Sequence, residues 1–140
     1  MGVVIEDLWD HEGYAARRLP DGTLTGTWTH ATREFEAFVA ACGCGWHGHL
    51  DYPPTQDGEE LAVKQWRSQH AEPLLARQAE RRQRELGRVL AWLGGQAGRL
   101  HDPATLERVG RAVDRARGLV TDVQRDLARS APEREVDGGH

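Results

Sequence analysis

Cys42 and Cys44 are the only cysteines in the sequence, and they lie one residue apart in Cys42-Gly43-Cys44-Gly45-Trp46. Two thiolates presented by a glycine-rich turn can ligate one ion, because the glycines leave the backbone free to turn its amides toward the sulfurs. Zinc in a tetrahedral structural shell is the chemistry this pattern fits. His70 is the expected third ligand and His49 the fourth, with His47 as the alternative fourth ligand; Asp51 is also within sequence reach. His30 precedes a turn and should lie about 20 Å of strand away from Cys42, so it is disfavoured. A disulfide between these neighbours would be strained. The pair therefore reads as reduced, in a cytoplasmic protein.

His47-Gly48-His49-Leu50-Asp51 also matches the core of the His-x-His-x-Asp motif found in metallo-β-lactamase-like hydrolases. That motif normally continues with a histidine where this chain has Tyr52, and the fold that uses it needs a longer chain with further ligands. A metal-dependent hydrolase is therefore the least favoured reading.

The elements that must position these side chains can be read from turns and periodicity. Pro20-Asp21-Gly22 is a turn signal between extended stretches at 14–19 and 23–29. A third strand is expected over 34–42, with Phe35, Ala37, Val39 and Ala41 on one face and Glu36, Phe38, Ala40 and Cys42 on the other. Both faces are partly apolar, so the sheet should be covered. After the extended Tyr52-Pro53-Pro54-Thr55, Asp57 and Glu60 suggest a capped helix over 58–70. Ala62, Trp66 and His70 then share a face, aiming His70 at the cysteine turn with Trp66 beneath it. Trp46 should join that apolar shell, and Trp28 should pack on the sheet.

Beyond this, Pro73 suits the first turn of a helix running to about Leu93, and Asp102-Pro103 starts another reaching about Arg129. Leu106, Val109, Val113, Ala116, Val120, Val123 and Leu127 form a heptad seam along the latter. The partner helix offers Leu75, Ala79, Leu86, Val89 and Leu93, with Arg82 as the exception. A helical hairpin buries little by itself, so dimerisation of this coiled-coil-like element is expected.

Charge divides along the chain: residues 1–70 carry 5 basic and 11 acidic side chains, whereas 71–131 carry 12 and 8. The basic half includes Arg77, Arg81, Arg82, Arg84 and Arg88, which could meet nucleic-acid phosphates. Interleaved Glu80 and Glu85 favour instead a solvated helix face. No stretch is apolar enough to span a membrane, and none resembles a signal peptide.

The run Cys42-x-Cys44-Gly45-Trp46, then Tyr52-Pro53-Pro54-Thr55, Gly58, Trp66 and His70, resembles a group of small actinobacterial proteins, some linked to phages or mobile elements, with a zinc-finger-like domain. The resemblance covers about residues 14–76 and implies Cys42, Cys44 and His70 as metal-site positions, with no established activity.

The resulting expectation is an α+β protein. A β-meander and short helix surround a structural zinc site over residues 1–71, a dimerising antiparallel hairpin occupies 72–131, and 132–140 form a disordered tail. Its expected role is a non-enzymatic regulator or adaptor that binds a protein partner. A DNA-binding regulator is the alternative.

Overall fold

The computed structural model describes residues 2–27, 29 and 34–130. Trp28, His30 and the expected tail over 132–140 lie outside the described residues. The chain forms two units, Met1–Ala76 and a second beginning at Arg77.

The first unit is built on an antiparallel sheet of β1 (Gly13–Arg18), β2 (Leu24–Thr25) and β3 (Ala37–Cys42). Its strand order is β2-β1-β3, so β1 is central and pairs along its full length with β3, from Gly13 opposite Cys42 to Arg18 opposite Ala37. The turn at Pro20-Asp21-Gly22 joins β1 to β2, with Leu19 N–H donating to the Thr23 carbonyl at 2.9 Å. Upstream of β1, Val3 and Gly13 exchange backbone hydrogen bonds of 2.6 and 2.8 Å, which ties the N-terminal segment to the sheet. All six residues of β3 are buried, as expected for a strand apolar on both faces.

Helix α1 (Gln56–Trp66) covers the sheet. Thr55 caps it, its hydroxyl accepting from Gly58 N–H at 3.2 Å, two residues ahead of the Asp57 cap suggested by sequence. Trp66 is fully buried among Leu8, Phe38, Ala40, Cys42, Ala62 and Ala71, and Trp46, Tyr52, Leu74 and Leu75 pack around that cluster. The indole lies on the backbone of Gly13, where a Cβ would come within 2.0 Å of the ring, so no larger residue fits.

The helix expected to end near His70 continues. A π-helical turn, Arg67–Ala71, leads directly into α2 (Glu72–Gly95). Glu72 N–H donates to the Arg67 carbonyl, five residues back. Pro73 has no N–H to give, and its ring crowds the carbonyl four residues earlier; the wider turn ahead of it accommodates both defects without breaking the helix.

The second unit pairs α2 from Arg77 onward with α3 (Pro103–Ser130), the expected hairpin. The Arg82 guanidinium Nη1 donates to both carboxylate oxygens of Asp126, at 2.8 and 3.1 Å. Glu85 accepts from Arg115 Nε at 3.0 Å. Asp102 accepts from the Thr105 hydroxyl at 2.7 Å and starts α3.

The inward face of α3 differs from the expected seam. Thr105, Ala116, Leu119 and Asp126 are buried and Val109, Ala112 and Val123 half-buried, whereas Leu106, Val113, Val120 and Leu127 are exposed by 49, 37, 41 and 56%. In this orientation Asp126 comes inward to meet Arg82 of α2, and half of the apolar heptad faces outward. Eleven of the thirteen buried apolar residues among those described belong to the first unit; the hairpin contributes only Ala116 and Leu119. Among the described residues, no helix is long and apolar enough to cross a membrane.

Candidate metal centre

The end of β3 and the turn that follows present the two thiols differently. Cys42 is the last residue of the strand and is buried, while Cys44 is exposed at the turn. The turn is closed by Gly45 N–H donating to the Cys42 carbonyl at 2.9 Å and by Cys42 N–H donating to the Trp46 carbonyl at 2.8 Å. Gly45 sits at φ 101°, in the left-handed region that glycine adopts without strain. Gly43 N–H donates to the Glu12 carbonyl at 2.8 Å, fastening the turn to the segment just before β1.

That attachment brings in His11. In the β1–β3 register Gly13 faces Cys42; continuing two residues outward on each strand sets His11 beside Cys44, on the face shared by Gly13 and Cys42. The π-helical turn supplies His70 from the opposite side. The ligand atoms of His11, Cys42, Cys44 and His70 all lie within 4.8 Å of one another. Cys44 Sγ is 3.4 Å from His70 Nε2, His70 Nε2 is 3.4 Å from His11 Nδ1, and His11 Nδ1 is 3.7 Å from Cys42 Sγ.

These separations match a coordination cage. With Zn–S near 2.3 Å and Zn–N near 2.0 Å, tetrahedral geometry gives edges of about 3.5 Å between sulfur and nitrogen and about 3.3 Å between nitrogens. Two soft thiols and two imidazoles are also the donor set of a structural zinc site, so the residues fit the ion.

Surrounding groups orient these donors. The Trp46 ring stacks on His70 with centroids 4.7 Å apart and planes 14° from parallel, and the His11 and His70 rings meet edge to face at 5.3 Å. Burial pushes the Cys42 thiol above its ordinary range, while the backbone N–H of Cys44 and the indole N–H of Trp66 act toward the thiolate. The buried Trp66 N–H makes no hydrogen bond among the described residues and acts in favour of the Cys42 thiolate.

Cys42, Cys44 and His70 are thus brought together as the sequence suggested, but His49 and His47 stand outside the group and His11 completes it. Alternation along an extended backbone explains the correction. His47 bridges Ala41, and Gly48 N–H donates to the Ala40 carbonyl at 2.8 Å, so this stretch runs alongside β3. Trp46 reaches His70 and Gly48 abuts Gln65 of α1, which puts residues 46 and 48 on the helix side. His47 and His49, of opposite parity, project away and meet each other edge to face at 5.8 Å. His47 Nδ1 lies 3.0 Å from the Gly48 carbonyl, and Asp51 accepts from Arg18 Nε at 3.1 Å. Neither joins the cysteine turn. The signal for His11 lay in strand pairing and not in spacing, since it is 31 residues from Cys42.

No protein-family model matches this sequence, and neither the curated proteins nor the solved structures compared with it give a match.

Proposed function

We propose that this chain is a non-enzymatic regulatory or adaptor protein whose N-terminal unit is held together by a structural zinc ion and whose helical hairpin serves assembly. The observation that carries the reading is the four-donor group of His11, Cys42, Cys44 and His70, whose ligand atoms all lie within 4.8 Å of one another, with three of the separations at 3.4 to 3.7 Å. Four protein ligands fill a tetrahedral shell and leave no position for a substrate or an activated water. The ion supplies cross-linking of the sheet, the segment before it and the π-helical turn. Each of those pieces contributes at least one ligand, so binding of the ion is coupled to folding of the unit. Exposed Trp9, Leu50 and Val4, at 72, 54 and 47%, support a protein partner as the binding class for this unit.

Elemental analysis of protein purified without added metal or chelator tests the proposal. About one zinc per chain is expected, lost in Cys42→Ser and in His11→Ala. Cobalt substitution separates the structural role from catalysis: a closed shell gives a tetrahedral spectrum unmoved by azide, whereas a shifted spectrum would reveal an open position and overturn the non-enzymatic reading.

Exposure of Arg77, Arg81, Arg84 and Arg88 on α2 favours a second reading, binding of nucleic acid by this basic face. Affinity for duplex DNA that falls steeply with salt and with Arg81→Glu plus Arg84→Glu would establish it; affinity unchanged by those substitutions would remove it.

A further inference from the structure

Near the turn that joins them, α2 and α3 leave a shallow groove of about 370 Å³. Val89, Trp92 and Ala112 line it together with Arg88, Arg108 and Arg111, so its lining carries three positive charges and no negative one. Helical spacing explains the convergence. Arg88 and Trp92 stand one turn apart on α2, and Arg108 stands one turn from Arg111 and Ala112 on α3. Trp92 keeps 38% of its surface exposed, although Val89 and Leu93 beside it are half-buried.

The cations around the indole are uncommitted. Among the described residues, neither Arg88 nor Arg111 has a carboxylate partner, and Arg108 acts through space on Asp102 at the start of α3. Glu85, the acid nearest the groove on α2, is already held by Arg115 Nε at 3.0 Å. Glu107 and Asp114 flank Arg111 one turn before and one turn after it, on exposed positions farther from α2. A basic stripe also leads into the groove. Arg77, Arg81, Arg84 and Arg88 follow one another on one face of α2 at spacings of four, three and four, and Trp92 comes four residues later. From Arg77 to Trp92 the stripe runs about 22 Å, with Glu80 adjoining it at the end remote from the indole.

We propose that the groove formed by Trp92, Arg88, Arg108 and Arg111 binds single-stranded nucleic acid, one base stacking on the indole while the neighbouring phosphates meet the arginines. The proposal draws on the basic face of α2 described above, to which Arg88 belongs, and is independent of the metal.

The occupant follows from the chemistry of the lining. Three guanidinium groups select an anion, and an indole beside them selects a flat ring next to that charge. A nucleotide carries both in one unit, whereas an acidic peptide segment supplies the charge and nothing to cover the indole. A duplex is disfavoured because its paired bases offer edges in the grooves and keep their faces inside the stack. At the 3.4 Å rise of a stacked strand, the stripe has room for about six nucleotides. Every base has a face to stack, so the site should be tolerant of sequence.

Fluorescence anisotropy on the full chain tests this, with a labelled oligothymidine of about twelve nucleotides, the matching oligouridine and a duplex of equal length, and with helical circular dichroism read on every variant. Oligothymidine should bind more tightly than the duplex. Trp92→Ala should weaken strand binding about tenfold and leave duplex binding unchanged, while Trp92→Phe should stay within about threefold of wild type. If Trp92→Ala loses its helical signal, Trp92→Leu, which keeps an apolar side chain without an aromatic face, takes its place. Arg88→Gln with Arg111→Gln should lower the slope of log affinity against log salt by about 1.4. Oligouridine should bind within about threefold of oligothymidine, because stacking and phosphate contacts are common to both, and a preference above about tenfold for either sugar would overturn the assignment. Equal affinity for strand and duplex, with neither moved by Trp92→Ala, would overturn the groove and leave the basic face of α2 standing. Strand binding that is lost in Trp92→Ala yet unmoved by Arg81→Glu plus Arg84→Glu would sustain the groove and remove the wider basic face. Polyglutamate that displaces the strand as well as unlabelled oligothymidine does, at equal charge, would show that a polyanion suffices and would overturn the proposal.

Discussion

His11 completes the four-donor group because Gly43 N–H donates to the carbonyl of Glu12, the next residue, so removing its imidazole takes away a donor and leaves that backbone bond in place. His11→Ala is expected to lose zinc to a degree comparable with His70→Ala, whereas His47→Ala and His49→Ala should keep the full complement; elemental analysis of the four variants distinguishes them. Trp46 makes no ligand bond but stacks on His70, so Trp46→Ala should weaken zinc affinity by roughly tenfold, as loss of an orienting neighbour does, measured by competition with a chromophoric chelator. Gly13→Ala drives a methyl into the Trp66 ring and should destabilise the first unit by about 1–3 kcal/mol in thermal unfolding. Of these residues the cysteines, His70 and Trp66 were legible from spacing and residue type alone. His11 was not, since a ligand contributed across a strand pair is visible only once the register is known.

At the scale of elements, the hairpin shows how a polar residue in an apolar seam is answered. Arg82 interrupted the pattern of α2, and Asp126, whose side chain is 4% exposed, turns inward to meet it. Arg82→Leu would leave that carboxylate buried beside the more distant Arg129, 4.0 Å away, and should cost about 3 kcal/mol. Arg82→Leu with Asp126→Leu should recover most of the loss, a cycle readable by denaturant unfolding. The sequence revealed both hairpin helices, but the heptad of α3 admitted two faces one residue apart, and the face that turns inward is the one whose Asp126 meets Arg82 on the other helix. The start of α3 carries a pH signature. The Thr105 hydroxyl, first, and backbone N–H groups hold the Asp102 carboxyl below its ordinary value of 3.8. A lowered folded-state pKa gives stability that is present above that ordinary value and disappears as pH falls through the lowered one. The melting temperature of the hairpin should drop over that acid window, and Asp102→Asn, which still caps the helix, should flatten the dependence.

For the molecule as a whole, the uneven burial means that the two units answer different perturbations. Apolar packing and the four-donor group coincide around Trp66 in the first unit, so on the proposed zinc reading chelation should lower its unfolding temperature, and restoring zinc at a thousand times its dissociation constant should return about 4 kcal/mol. The α+β class followed from composition, turn signals and periodicity. The strand order did not: a meander would put β2 in the middle, whereas β3 joins β1, because a tight turn fixes which strand follows and not which edge the third one takes.

The π-helical turn at Arg67–Ala71 has one more consequence, which concerns chain length. It holds one residue more than an α-helical turn would, so it behaves as a single-residue insertion absorbed by a helix. Removing Ser68 should narrow the turn to α-helical width, pressing the Pro73 ring against the carbonyl four residues back, while swinging His70 away from Cys44 and His11 and Leu74 and Leu75 off the core beside Trp66. A chain shortened by one residue would then lose both the turn that admits Pro73 and the four-donor group. Along this stretch the protein tolerates changes of residue type more readily than changes of residue number.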